Sequence, residues 1–133
     1  MTRLIVGTDK PETSEHLVAY LETVLDEDDA VYGVNSLPGG DRTTADDIGK
    51  GEDALDVLED GLADRVEFDR DQFVRGNEPI EDLLDAAERH DADEYVIGIR
   101  KRTPVGKMVF GSTAQNLLLE TDIPVRTVPL VSD

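Results

Sequence analysis

Apolar positions along this chain switch repeatedly between strand-like and helix-like spacing. Leu4-Ile5-Val6 is a short unbroken apolar run, the pattern of a strand buried on both faces of a parallel sheet. Beyond Pro11, the residues Leu17, Val18, Leu21, Val24 and Leu25 recur at helical spacing. Val31 to Val34 reads as a second strand. After Pro38-Gly39-Gly40, one face of a second helix is marked by Ile48, Leu55, Leu58 and Leu62, with Gly49, Gly51 and Gly61 as weak points. From Val66 to Val74 an imperfect alternation, with Phe73 opposite Val66, Phe68, Arg70, Gln72 and Val74, predicts a polar edge strand.

Asn77-Glu78-Pro79 offers capping and first-turn chemistry for a helix whose stripe is Ile80, Leu83, Leu84 and Ala87. Tyr95 to Gly98 is a fourth strand. Ser112 and Gln115 have capping-box spacing for a last helix through Leu117 and Leu118, and Pro124 to Val128 closes as a fifth strand. No internal repeat or long linker divides residues 1–133, so one domain is expected. The alternation predicts an α/β fold: a mostly parallel sheet with helices on both faces, joined by right-handed crossovers. Ligands of such sheets bind beyond the carboxyl ends of the strands, where the winding reverses.

Composition narrows the function. There is no cysteine, which excludes disulfides, thiol catalysis and cysteine-ligated zinc. No apolar run approaches the ~20 residues that span a bilayer, and no secretory signal is visible at the start, so a cytoplasmic protein without membrane insertion is expected. The net charge is −18, and the acids are spread along the chain. That distribution favours a halophilic surface, which holds hydration in concentrated salt, over a local docking patch for a basic partner. Nucleic-acid binding is disfavoured, because a phosphate backbone needs a larger basic footprint than this chain has.

One segment breaks the acidic trend. From Gly98 to Thr113 the chain carries Arg100, Lys101, Arg102 and Lys107, four of its thirteen basic residues, and no acid. A glycine-flanked cationic loop running into a helix start suits an anion, most naturally phosphate. Glycine permits close backbone approach, and the first helical N–H groups point at the ligand. In molar salt the Debye length is about 3 Å, so direct N–H contacts should outweigh the net charge of the loop.

The isolated His16 and His90 lack the partners of a metal site or nucleophile–base pair. Asp28-Asp29 and Asp46-Asp47 read as solvated surface. No constellation of nucleophile, base and orienting group is found.

On these residues the chain resembles the universal stress protein (UspA-like) family over its whole length. The family's nucleotide motif is Gly, two residues, Gly, nine residues, then Gly-Ser or Gly-Thr. Gly98 and Gly111-Ser112 fill its ends at the correct spacing, and Lys101 stands at the middle glycine. The resemblance implies strand order 3-2-1-4-5 in an adenine-nucleotide α-hydrolase-like sheet, with Thr8 and Asp9 facing Gly98 across one crevice. It implies binding of ATP or AMP with Mg²⁺ or Mn²⁺. Asp9 matches the acid near the nucleotide, a candidate metal contact through nucleotide-bound Mg²⁺. Val34 matches the position whose backbone meets the adenine, and Ile97 the residue before the first motif glycine. Gly111, Ser112, Thr113 and Ala114 match the phosphate cradle, to which Arg100, Lys101 and Arg102 can add charge-assisted contacts. The family further implies a homodimer through strand 125–128 and a nucleotide-dependent signal read by a regulatory protein partner. A nucleotide-free interaction protein and a slow ATPase stay open as alternatives. For the residue simply capping the first helix, Asp9 is as well placed as for a ligand contact.

Overall fold

β-branched and aromatic runs become the strands, and the amphipathic stretches between them become the helices. A computed structural model describes residues 1–37, 39–74, 78–102, 107–109 and 112–130. In chain order these form β1 (Arg3–Gly7), α1 (Pro11–Val24), β2 (Ala30–Leu37), a 3₁₀ turn (Gly40–Arg42), α2 (Ala45–Leu62), β3 (Glu67–Val74), α3 (Pro79–His90), β4 (Glu94–Arg102), β5 (Lys107–Val109), α4 (Ser112–Glu120) and β6 (Val125–Leu130).

Five strands run parallel in the order β3-β2-β1-β4-β6, which is 3-2-1-4-5 for the five strands counted in the sequence. β5 is a sixth strand, antiparallel to the end of β4. The cationic segment is therefore not a plain loop. Arg100, Lys101 and Arg102 are strand residues, paired with Val109, Met108 and Lys107. Arg100 also pairs with Leu130 on the opposite edge of β4, so β5 lies on the β1 side, past the end of β1.

Alternate strand residues feed two cores. Leu4, Val6, Val31, Val66, Val96 and Val128 pack under α1 and α2 against Leu17, Leu21, Leu55, Leu58 and Leu62. Ile5, Tyr32, Val34, Phe73, Tyr95 and Ile97 pack on the other face against Leu83, Ala86, Ala87 and Leu117. β3 is the expected polar edge strand, with Phe73 as its buried anchor.

Helix ends follow local chemistry. Thr44 and Asp47 form a reciprocal capping box on α2, Oγ1 accepting from the Asp47 N–H at 3.1 Å and the carboxylate accepting from the Thr44 N–H at 2.9 Å. Glu78 and Glu81 do the same for α3, with Pro79 in the first turn, and Asp91 ends that helix in the left-handed region at φ 52°. Asn77 lies outside the described residues.

Two of the three α2 glycines, Gly51 and Gly61, are contact points, while Gly49 faces open space. A Cβ on Gly61 would sit 2.6 Å from Val18 Cγ1, and one on Gly51 2.0 Å from Asn35 Oδ1. Their helix-propensity cost of roughly 1 kcal/mol each relative to alanine is the lesser term.

Candidate functional site

The winding reverses between β1 and β4. Register places Val6 beside Val96, so two residues further on Thr8 and Gly98 stand level at the carboxyl ends, with β5 beyond them. This is the crevice expected of a doubly wound sheet.

Every polar group of Thr8 is engaged. Its N–H donates to the Val34 carbonyl at 3.0 Å, and its carbonyl accepts from Asn35 Nδ2 at 3.0 Å. Its hydroxyl lies 2.6 Å from Ser14 Oγ, which donates to the Ala54 carbonyl at 2.7 Å. Ser14 has a single hydroxyl proton, so Thr8 is the donor between them. Thr8 thus forms the buried floor. Asp9, one residue on, is exposed and accepts from Thr13 Oγ1 at 2.6 Å. The N-cap residue of α1 is Lys10, which makes no side-chain cap bond.

The other residues of the sequence reading fall into four groups. Val34 and Ile97 are core side chains, and the Val34 carbonyl already accepts from Thr8. Gly98 is level with Thr8, and a Cβ there would lie 2.8 Å from Leu130 Cδ2, so a larger residue would have to displace the Leu130 side chain. Thr113 and Ala114 are half-buried in the first turn of α4, whose Ala114 packs on the second core. The side chains of Arg100, Lys101, Arg102 and Ser112, the whole of Gly111, and residues 103–106 lie outside the described residues.

Sequence reasoning missed Thr13, Ser14, Asn35, Gln72 and Gly51, which hold the Thr8–Asp9 corner. The available signal was Asn35 itself, an amide beside the apolar run Val31 to Val34. A buried polar residue is more informative than an exposed apolar one.

A cavity of about 260 Å³ opens at the other end of the sheet, lined by Arg3, Glu67, Asp69, Arg89 and His90 among others. There the His90 ring stacks on Tyr32 at 3.8 Å, and the Tyr32 hydroxyl donates to Asp71. Burial, and then the Asp71 carboxylate, push the Tyr32 phenol well above its ordinary range. This cavity lies away from the crevice and mixes both signs of charge, so the crevice remains the candidate site.

For a metal, the carboxylate that the described residues place next to Thr8 is that of Asp9. Among the described residues no group of three or more His, Cys, Asp or Glu side chains is arranged to hold an ion. One carboxylate suits Mg²⁺, which commonly binds through one or two carboxylates together with substrate phosphates.

The fold and crevice define a doubly wound α/β protein with its site at the strand-order reversal. The model of the universal stress protein family matches residues 1–129, and the chain belongs to that family. It is 53% identical over 53 residues to a universal stress protein of Mycolicibacterium smegmatis, a match covering 40% of this chain and 41% of that protein. The chain therefore spans about two fifths of that relative's length. Among solved structures, the universal stress protein of Archaeoglobus fulgidus superposes with a TM-score of 0.72 at 33% identity, covering 96% of this chain and 98% of the other. A structure from the same organism in complex with dAMP matches with a TM-score of 0.63 at 27% identity, with the same coverage.

Proposed function

We propose that this chain binds an adenine nucleotide, AMP or ATP, in the β1–β4 crevice and acts as a nucleotide-dependent regulator in the cytoplasm. The observation that carries the reading is the dAMP complex of a structural relative aligned over nearly the whole chain. The geometry supports it. Asp9 is an exposed carboxylate held by Thr13 at the mouth of the crevice. Thr113 and Ala114 stand in the first turn of α4, where helical N–H groups favour phosphate. Mg²⁺ or Mn²⁺ would arrive with the phosphates and take Asp9 as its protein carboxylate. Gly98, Arg100, Lys101, Arg102, Gly111 and Ser112 complete the proposed cradle.

The protein acts as a homodimer through its last strand, read by a regulatory partner. β6 is an edge strand. The Pro124 carbonyl accepts from the Tyr95 N–H, so Arg126 and Val128 also face β4, while Val125, Thr127 and Pro129 turn their backbones outward. Pro129 has no N–H to offer, so self-pairing is confined to Val125–Val128.

A second reading, a nucleotide-free interaction module, is favoured by Lys101 at the middle motif glycine. The two are separated by denaturing protein purified in molar salt and identifying the released small molecules by mass spectrometry. Near-stoichiometric AMP or ATP supports the nucleotide reading. An empty wild type that also gives no heat with added nucleotide and Mg²⁺ supports the second.

A further inference from the structure

Thr8 and Asp9 share one peptide plane, and a side chain, not the backbone ladder, sets its orientation. The last backbone bond of Thr8 in the ladder is its N–H on the Val34 carbonyl. Its own carbonyl is taken by Asn35 Nδ2 at 3.0 Å. Because the peptide is planar and trans, holding the Thr8 carbonyl toward β2 turns the Asp9 N–H toward β4, across the crevice.

Asn35 is itself held. Its side chain is among the most buried in the protein, 1% exposed, and its Oδ1 accepts from Gln72 Nε2 at 3.0 Å. The same Gln72 nitrogen donates to the Ile48 carbonyl in the first turn of α2 at 2.9 Å. The relay therefore runs from α2 through β3 and β2 to the end of β1. It occupies the space beside Gly51. A Cβ there would stand 2.0 Å from Asn35 Oδ1, 2.5 Å from Gln72 Nε2 and 2.7 Å from Asn35 Cγ. The glutamine end could swing away, but the short, buried Asn35 side chain could not, and a buried amide needs its partners.

We infer that Asn35 and Gln72 are positioning residues for the Thr8–Asp9 peptide, and that Gly51 is the residue that admits them. The inference deepens the nucleotide reading and rests on it for its effect on affinity. The predicted movement of the peptide does not require a nucleotide.

The test uses the full chain in molar KCl, with three variants: Asn35→Ala, Gly51→Ala and the double variant. Amide hydrogen exchange is followed by NMR without nucleotide, AMP affinity by calorimetry and stability by thermal melting. Asn35→Ala should speed exchange of the Thr8 N–H, held on the Val34 carbonyl, at least tenfold and move the Asp9 amide resonance, while Val96 in β4 is unchanged. It should weaken AMP binding by about tenfold, the worth of one hydrogen bond. Gly51→Ala should do the same and lower the melting temperature further, because Asn35 is displaced. In the double variant the clash with Asn35 is gone, so the melting temperature should return to that of Asn35→Ala while AMP affinity stays low. A merely structural role predicts that affinity recovers with stability, and that result would overturn the proposal, as would unchanged exchange at Thr8 together with an unmoved Asp9 amide resonance in Asn35→Ala. Gln72→Leu, which leaves Asn35 in place without its anchor, should shift the same two amides in the same direction even if Asn35→Ala does not fold. Failure of the wild type to bind AMP would remove the nucleotide reading, while the exchange data would still decide the positioning.

Discussion

Replacing Arg70 with methionine should destabilise the protein strongly in dilute buffer and weakly in molar salt. Arg70 lies on β3 and reaches across to α2, where it meets Asp56 at 2.6 Å and Glu59 and Glu52 each at 3.2 Å. Its side chain is 22% exposed, but the three carboxylates are 50–59% exposed, so each pair must be discounted for solvent screening. At about 0.5 kcal/mol per pair the contacts contribute roughly 1.5 kcal/mol. Without the guanidinium, Glu52, Asp56 and Glu59 repel one another along one helix face, adding about 0.3–0.5 kcal/mol at their i,i+4 and i,i+3 spacings. Methionine retains most of the apolar stem, so lost packing contributes little. The expected loss is about 2 kcal/mol at 0.1 M salt, or about 8 °C in melting temperature for a chain of this length. In molar KCl the Debye length contracts from about 10 Å to about 3 Å, and the loss should fall below about 1 kcal/mol. Thermal unfolding followed by circular dichroism at 0.1 M and 2 M KCl measures both. An equal drop at the two salt concentrations, or none at 0.1 M, would refute the electrostatic reasoning.

Three further outcomes follow from the same structure. Leu58 is fully buried between α2 and the sheet, so Leu58→Ala should cost about 3–4 kcal/mol in urea unfolding, and a loss under about 1 kcal/mol would contradict the packing. Hydrogen bonds from the Thr44 backbone and side chain hold the Asp47 carboxyl below its ordinary value; that contribution to stability is present above about pH 4 and is lost as pH falls through the folded-state value. An NMR titration should show the Asp47 midpoint rising in Thr44→Ala. Burial raises both the Tyr95 phenol and, with the Asp71 bond, the Tyr32 phenol. Above about pH 10 the unfolded chain therefore loses protons that the folded chain keeps, and stability should fall. Tyr32→Phe should flatten that fall, and an unchanged slope would contradict it.

The fold was legible where burial is strong. Leu4-Ile5-Val6 and Tyr95-Val96-Ile97 have no solvent-facing side, so their apolar runs mark adjacent central strands directly. β5 was not legible, because three residues with a lysine among them carry no periodic signal; backbone pairing to β4 creates the strand. The α2 glycines read as helix breakers in sequence, whereas Gly51 and Gly61 are places where another side chain needs the room. The meeting of Thr8–Asp9 with Gly98 follows from strand order, and the structure has that order. What holds Thr8 was signalled in the sequence only by the Asn35 amide beside an apolar run, because Ser14, Asn35 and Gln72 converge from α1, β2 and β3 and share no local spacing.

The central claim is that the β1–β4 crevice holds an adenine nucleotide. Calorimetric titration of AMP into the wild-type protein and Asp9→Ala, in molar KCl with Mg²⁺, tests it most directly. The account predicts saturable binding of one nucleotide per chain, weakened in Asp9→Ala. No heat of binding from wild-type protein shown to be folded and free of co-purified nucleotide would contradict it.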